Sequence, residues 1–278
     1  MTTPAVPAIR RGFVDTSFGQ VHYRTIGDGP VLIMHHASPG SAKQLEGLMR
    51  LLAAEFRVVA FDTPGNGDSS PLSIATPTIA DLAAGLLQAV VDLGIEQAVV
   101  YGSHTGANIA MELAIAAPGI VRKVVLDGIA VFSPEQQADY LKRYALPFTA
   151  DLDGAYLMRC FMFCRDQYLF FPWFARDREH RRANGLGTPQ ALHNWVLEVL
   201  KANDTYPLSY RAAFAYDPPA RIGLVGQPIL ALASEDDPLL GTTRDVATQA
   251  GAMFGTLPGF QAPDYGARLR DAVIVFAG

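Results

Sequence analysis

Short apolar runs at residues 30–34, 57–61, 98–101, 124–126 and 229–232 recur along the chain, and helix-like stretches at 42–54, 79–93 and 108–116 fall between the earlier ones. This alternation is the strongest constraint on the fold. The runs are continuously apolar instead of alternating, as expected of strands buried on both faces of a parallel sheet. Strands taking turns with helices predict an α/β protein, with a mostly parallel central sheet flanked by helices. Residues 13–23 alternate apolar and polar positions around Gly19, which predicts a short hairpin ahead of the first run. A final helix is expected near 267–276.

Residues 133–216 break the rhythm. They are dense in aromatic side chains, from Tyr140 and Tyr144 to Trp173 and Phe174, and read as mostly helical. The expected organisation is a core made of residues 1–132 and 217–278, with 133–216 as a helical cap inserted over the sheet edge. An ordinary run of core helices is the alternative.

Half of the 278 residues are hydrophobic, enough for a sizeable core, and the net charge of −5 comes without a basic run. Nucleic acid is therefore not expected as a partner. No apolar stretch approaches the roughly 18 residues of a membrane span. Two arginines near the start are not followed by an apolar signal core, so a cytoplasmic location is the default expectation. Cys160 and Cys164 lie four apart in an apolar segment, which suits two reduced thiols better than a metal site or a C-x-x-C redox pair. The histidines are scattered and no glycine-rich phosphate loop is present, so neither metal nor organic cofactor is expected. A small-molecule substrate is the expected partner. A homodimer is compatible with the sequence, which leaves the oligomeric state open.

The segment Tyr101-Gly102-Ser103-His104-Thr105-Gly106-Ala107 joins an apolar strand-like run to an apolar helix-like run. Strand, sharp turn and helix with glycines two before and two after a central residue form a nucleophile elbow, G-x-nucleophile-x-G. The central residue sits at positive φ, a conformation in which histidine is among the enriched non-glycine types. Here that residue is His104, where serine, cysteine or aspartate would be expected.

Four segments in order resemble the α/β-hydrolase superfamily. Leu32 to Ser41 (LIMHHASPGS) is similar to the loop after the third strand. Phe61 to Ser69 (FDTPGNGDS) is similar to the D-x-P-G-x-G-x-S turn. Gly102 to Gly106 is similar to the elbow, and Ala233 to Leu239 (ASEDDPL) to the late loop that carries the triad acid. The resemblance implies an oxyanion hole from the backbone N–H groups of Ala37 and Thr105. It implies an acid at Asp237, or at Asp127 in the alternative position used by some dehalogenases. It also implies structural roles for Asp62 and His35.

Three departures from the family pattern bear on the chemistry. His104 stands at the nucleophile position, and His36 stands where glycine is usual. No histidine follows His193, and residues 257–262 offer glutamine and alanine where the catalytic base should fall. Ser103 adjoins His104, but neighbouring side chains at an elbow point different ways. A neutral imidazole is a competent general base or, less often, a nucleophile. The helix dipole at its position is expected to disfavour the cation, and a carboxylate at Asp127 or Asp237 would offset that effect. Four other residues are candidates for substrate binding, each with a bland alternative. His36 reaches the pocket or packs under its loop. Arg165 holds an anionic group or pairs with Asp166. Trp173 lines the site or belongs to the cap core. His193 dips in as a substitute base or lies on a helix surface.

The expected activity is hydrolysis of a small, apolar or aromatic carbonyl compound (ester, lactone or C–C bond). Two alternatives remain: lyase or cofactor-free oxygenase chemistry on the same fold, and a catalytically inactive ligand-binding homologue.

Overall fold

The computed structural model describes residues 8–183 and 185–278. Eight strands form one sheet: β1 (Arg10–Thr16), β2 (Gly19–Ile26), β3 (Val31–His35), β4 (Arg57–Phe61), β5 (Ala98–Ser103), β6 (Val121–Asp127), β7 (Ile229–Ser234) and β8 (Met253–Leu257). Their spatial order is β1-β2-β4-β3-β5-β6-β7-β8. β1 and β2 form the antiparallel hairpin and β2 is antiparallel to β4, while β3 through β8 pair in parallel.

Helices pack on both faces. On β3, Ile33 joins one apolar cluster while Leu32 and Met34 join another. Successive strand side chains point to opposite faces, so a strand covered on both sides must be apolar throughout. The first cluster includes α2 (Ile79–Asp92) and α3 (Thr105–Ala116), and the second includes α1 (Glu46–Leu52) and α10 (Tyr265–Ala277). Thr78 and Asp81 form a capping box that starts α2, a reciprocal pairing that satisfies otherwise unpaired amides.

Between β6 and β7 the chain forms α4 (Pro134–Arg143), α5 (Ala155–Leu169), α6 (Pro189–Lys201) and α7 (Tyr206–Phe214), followed by the one-turn α8 (Pro218–Arg221). α4 to α7 share an apolar cluster of their own, rich in tyrosine and phenylalanine. Residues between α5 and α6 are irregular apart from a Phe170–Arg181 bridge, so the segment is less helical than its composition suggested. α9 (Leu240–Gln249) and β8 were not foreseen. α9 is mostly polar, and β8 is a partly exposed edge strand carrying Gly255.

The strand order reverses at β3, with β4 on one side and β5 on the other. Such a switch opens a crevice at the carboxyl ends of the strands, where ligands bind in open α/β sheets. The loops after β3, β5 and β7 and the end of β6 meet there.

Candidate active site

β5 ends in a turn where His104 has φ 50° and ψ −109° and caps α3. The flanking glycines are needed for close approach. A Cβ at Gly102 would lie 2.0 Å from the Gly106 carbonyl oxygen, and one at Gly106 would lie 2.3 Å from that of His35. The turn is held by His104 N–H donating to the Asp127 carbonyl at 2.8 Å.

The imidazole reaches the late loop. His104 Nε2 lies 2.8 Å from Asp237 Oδ2, and the Asp237 side chain is 1% exposed against 35% for His104. Asp237 Oδ1 accepts the Leu239 N–H at 2.8 Å, which fixes the carboxylate. No protein group among the described residues bonds His104 Nδ1. Asp127 is turned elsewhere: its Oδ2 accepts the Tyr101 hydroxyl at 2.6 Å. Of the two expected acids, Asp237 is thus the one that touches His104.

Burial disfavours an imidazolium at His104, but attraction and a hydrogen bond from Asp237 outweigh it and raise its pKa above the ordinary histidine value. A carboxylate in direct contact acts more strongly on the ring than a partial charge at a helix end. Burial would raise the Asp237 carboxyl, yet the His104 charge and hydrogen bonds hold it below the usual range. Burial pushes Asp127 up to about 6, against the Tyr101 hydrogen bond.

Gly128 follows Asp127 at φ +80°, and a Cβ there would lie 2.3 Å from His104 Cδ2 and 2.7 Å from Nε2. Gly128→Ala is expected to push the imidazole off Asp237. Displacing a reacting group by about 1 Å can cost on the order of 100-fold in rate, and the positive φ adds about 1–3 kcal/mol of strain. Steady-state kinetics and a melting curve of the variant check both effects.

His104 opens onto a cavity of about 580 Å³, within the range of about 300–1,000 Å³ usual for ligand sites. Ala37, Thr105 and Asp237 also line it. The amides of Ala37 and Thr105 donate to no other group among the described residues. Much of the remaining wall is apolar and aromatic, including Phe132, Tyr144, Phe171 and Phe214.

The other sequence candidates lie elsewhere. His36 is fully buried under its loop, with Nδ1 on the Ala37 carbonyl at 2.8 Å and Nε2 accepting the Thr63 N–H at 3.0 Å, so both ring nitrogens are occupied. Burial lowers its pKa. His35 is buried against Phe61, and burial pushes its pKa down to about 3. Asp62 accepts from Ala42 N–H, Asp68 N–H and His22, and so holds its turn. Arg165 donates twice to buried Asp166 instead of facing the cavity. Trp173 packs in the aromatic cluster and donates to the Tyr144 carbonyl at 2.9 Å. His193 is exposed on α6, whose Ala191, Asn194, Trp195 and Glu198 face the cavity. Those four share one helical stripe, and His193 falls outside it.

Arg182 was missed. It lines the cavity from the irregular stretch before α6, and Nη1 donates to the Gln167 carbonyl at 3.1 Å. Its Nε is buried without a partner among the described residues. Its charge acts on both His104 and Asp237. Sequence offers no signal that separates it from Arg178 and Arg181 beside it.

Residues 30–245 match the α/β hydrolase fold family. The chain belongs to that family. A 2-hydroxy-6-oxononadienedioate/2-hydroxy-6-oxononatrienedioate hydrolase 2 of Pseudomonas putida is 37% identical over 126 residues, covering 43% of this chain and 43% of the relative. Hydrolase 1 of the same name from Dechloromonas aromatica (strain RCB) is 31% identical over 134 residues, covering 46% and 45%. These matches span less than half of each relative's length. The crystal structure of the enol-lactonase from Burkholderia xenovorans LB400 superposes with a TM-score of 0.72 at 18% identity, covering 96% of this chain and 99% of that one. At that identity it speaks for the fold alone. No helix among the described residues is long and apolar enough to cross a membrane.

Proposed function

We propose that this chain hydrolyses a small carbonyl compound bearing a carboxylate, with His104 as general base and residues 133–216 as a cap over the site. The observation that carries the reading is the His104–Asp237 contact at 2.8 Å on the wall of the cavity. Asp237 takes Nε2–H and thereby leaves Nδ1 as the lone pair available to a reactant. Nδ1 removes a proton from water, the hydroxide adds to the carbonyl carbon, and the Ala37 and Thr105 N–H groups hold the oxyanion. Donors of this kind are worth about 3 kcal/mol each. The imidazolium then returns its proton to the leaving group as the tetrahedral intermediate collapses. Asp127, held by Tyr101, positions the turn through its carbonyl and does not contact the reactant.

Arg182 supports an anionic substrate: it lines the cavity, and its positive charge acts on both His104 and Asp237. Arg182→Gln is expected to raise KM for carboxylate-bearing esters about 10-fold or more, the loss of a charge-assisted contact, and to leave the KM of neutral esters unchanged. Kinetics on a matched pair of such esters, with enol lactones and β-diketones in the same screen, test the assignment. Equal effects on both esters would remove Arg182 from substrate recognition. Proton abstraction or oxygen uptake without hydrolysis would favour the lyase or oxygenase reading, which uses the same base and oxyanion donors.

A further inference from the structure

The helical layer carries a second cavity, of about 600 Å³, also within the usual ligand range of about 300–1,000 Å³. One wall is a stripe of α5, with Ala155, Met158, Met162 and Phe163 along it, and Phe148 and Tyr206 stand on others. Methionine side chains adapt to differently shaped apolar partners. Arg159 and Arg176 are the charged residues on the lining, and no carboxylate is among it.

Both arginines keep donors for a ligand. Arg159 is 57% exposed and reaches Asp151 through Nη2 at 3.0 Å. Arg176 is 48% exposed, and its Nε lies 2.8 Å from Asp166 Oδ2. That oxygen accepts no hydrogen bond, so the pairing is electrostatic only. Arg165 holds the other Asp166 oxygen, so two guanidinium groups share one carboxylate and positive charge is left over. Exposed Leu146 and Met158 carry the apolar lining out to solvent. An apolar wall with only cationic groups on it complements a molecule that is apolar along its body and anionic at one end.

We propose that this cavity is a binding site for an organic carboxylate with an apolar body, such as a medium-chain fatty acid. The chain lies against Met158, Met162 and Phe148, and the carboxylate meets Arg159 and Arg176. The site does not depend on the activity assigned to His104. Tyr144 lines both cavities and its carbonyl accepts the Trp173 indole N–H, so the two sites share a wall.

Calorimetric titration of the full chain with octanoate and with octan-1-ol tests the proposal. Octanoate is expected to bind saturably, about 10-fold tighter than the alcohol, the worth of a charge-assisted contact. The double variant Arg159→Gln/Arg176→Gln alters only exposed side chains. It is expected to bring octanoate down to the level of octan-1-ol and leave the alcohol unchanged. Arg182→Gln is expected to leave octanoate binding intact. The proposal is overturned by absence of saturable octanoate binding, by indifference to the double variant, or by loss of binding in Arg182→Gln, which would assign octanoate to the cavity beside His104. A concentration-dependent dimer abolished by Met158→Asp, without octanoate binding, would give the surface to a second copy and equally overturn it.

Discussion

Replacing His104 with alanine is expected to lower kcat/KM by about 10²–10⁴-fold, the usual contribution of a positioned general base. The cavity, the Ala37 and Thr105 amides and Arg182 all remain in the variant, so substrate affinity should change far less than turnover. Alanine also removes the partner of Asp237, whose side chain is 1% exposed. His104→Gln is therefore the companion variant. Its amide can still donate to the carboxylate, but it has no nitrogen that accepts a proton. Both variants should be equally inactive, and the glutamine form should melt closer to the native protein. A glutamine variant with native turnover would remove His104 from the chemistry.

Asp237→Asn is expected to be nearly as damaging, and to leave a distinct signature in pH. General-base catalysis needs the neutral imidazole, so activity should rise with pH through the His104 pKa. That pKa is raised because Asp237 stabilises the imidazolium, which puts the acid limb of kcat/KM above the ordinary histidine value of about 6.5. Asparagine removes the negative charge, the imidazolium loses its stabilisation, and the acid limb moves to lower pH. An asparagine amide presented to Nε2 also permits the opposite tautomer, with the proton on Nδ1. In a comparable His–Asp arrangement the wrong tautomer costs about 10⁴ in kcat. Asp127→Asn should do much less, since the Asp127 side chain meets Tyr101 and its carbonyl, which holds the His104 turn, is kept.

Much of this architecture was legible because buried parallel strands leave a strong pattern. Continuous apolar runs such as residues 31–34 can be read without knowing their partners, since both faces of the sheet are covered. The same logic explains the misses. β8 lies at the sheet edge with Met253 61% exposed, and α9 opens Leu-Gly-Thr-Thr-Arg-Asp. Neither carries the pattern that burial imposes. The elbow was legible because close backbone approach at Gly102 and Gly106 admits only glycine. The choice between Asp127 and Asp237 was not, because one ends β6 and the other follows the neighbouring β7, both positions compatible with touching His104, and a difference in side-chain direction decides between them. The residues facing the cavity from the helical layer were legible only in part. Trp195 could have been drawn from the helical periodicity of α6, which would also have set His193 aside, but nothing in the sequence marks Asn194 or Glu198 as facing inward. Arg182 sits in an irregular stretch, where no periodicity says which way a side chain faces.

The most direct test of the central claim is a kcat/KM profile against pH, set beside the titration of the His104 ring followed by nitrogen NMR in ¹⁵N-histidine-labelled protein. One pKa, above about 6.5, is expected in both curves, with the neutral ring carrying its proton on Nε2 toward Asp237. Turnover that stays flat while His104 titrates, or a neutral ring protonated on Nδ1, would contradict a base oriented by Asp237.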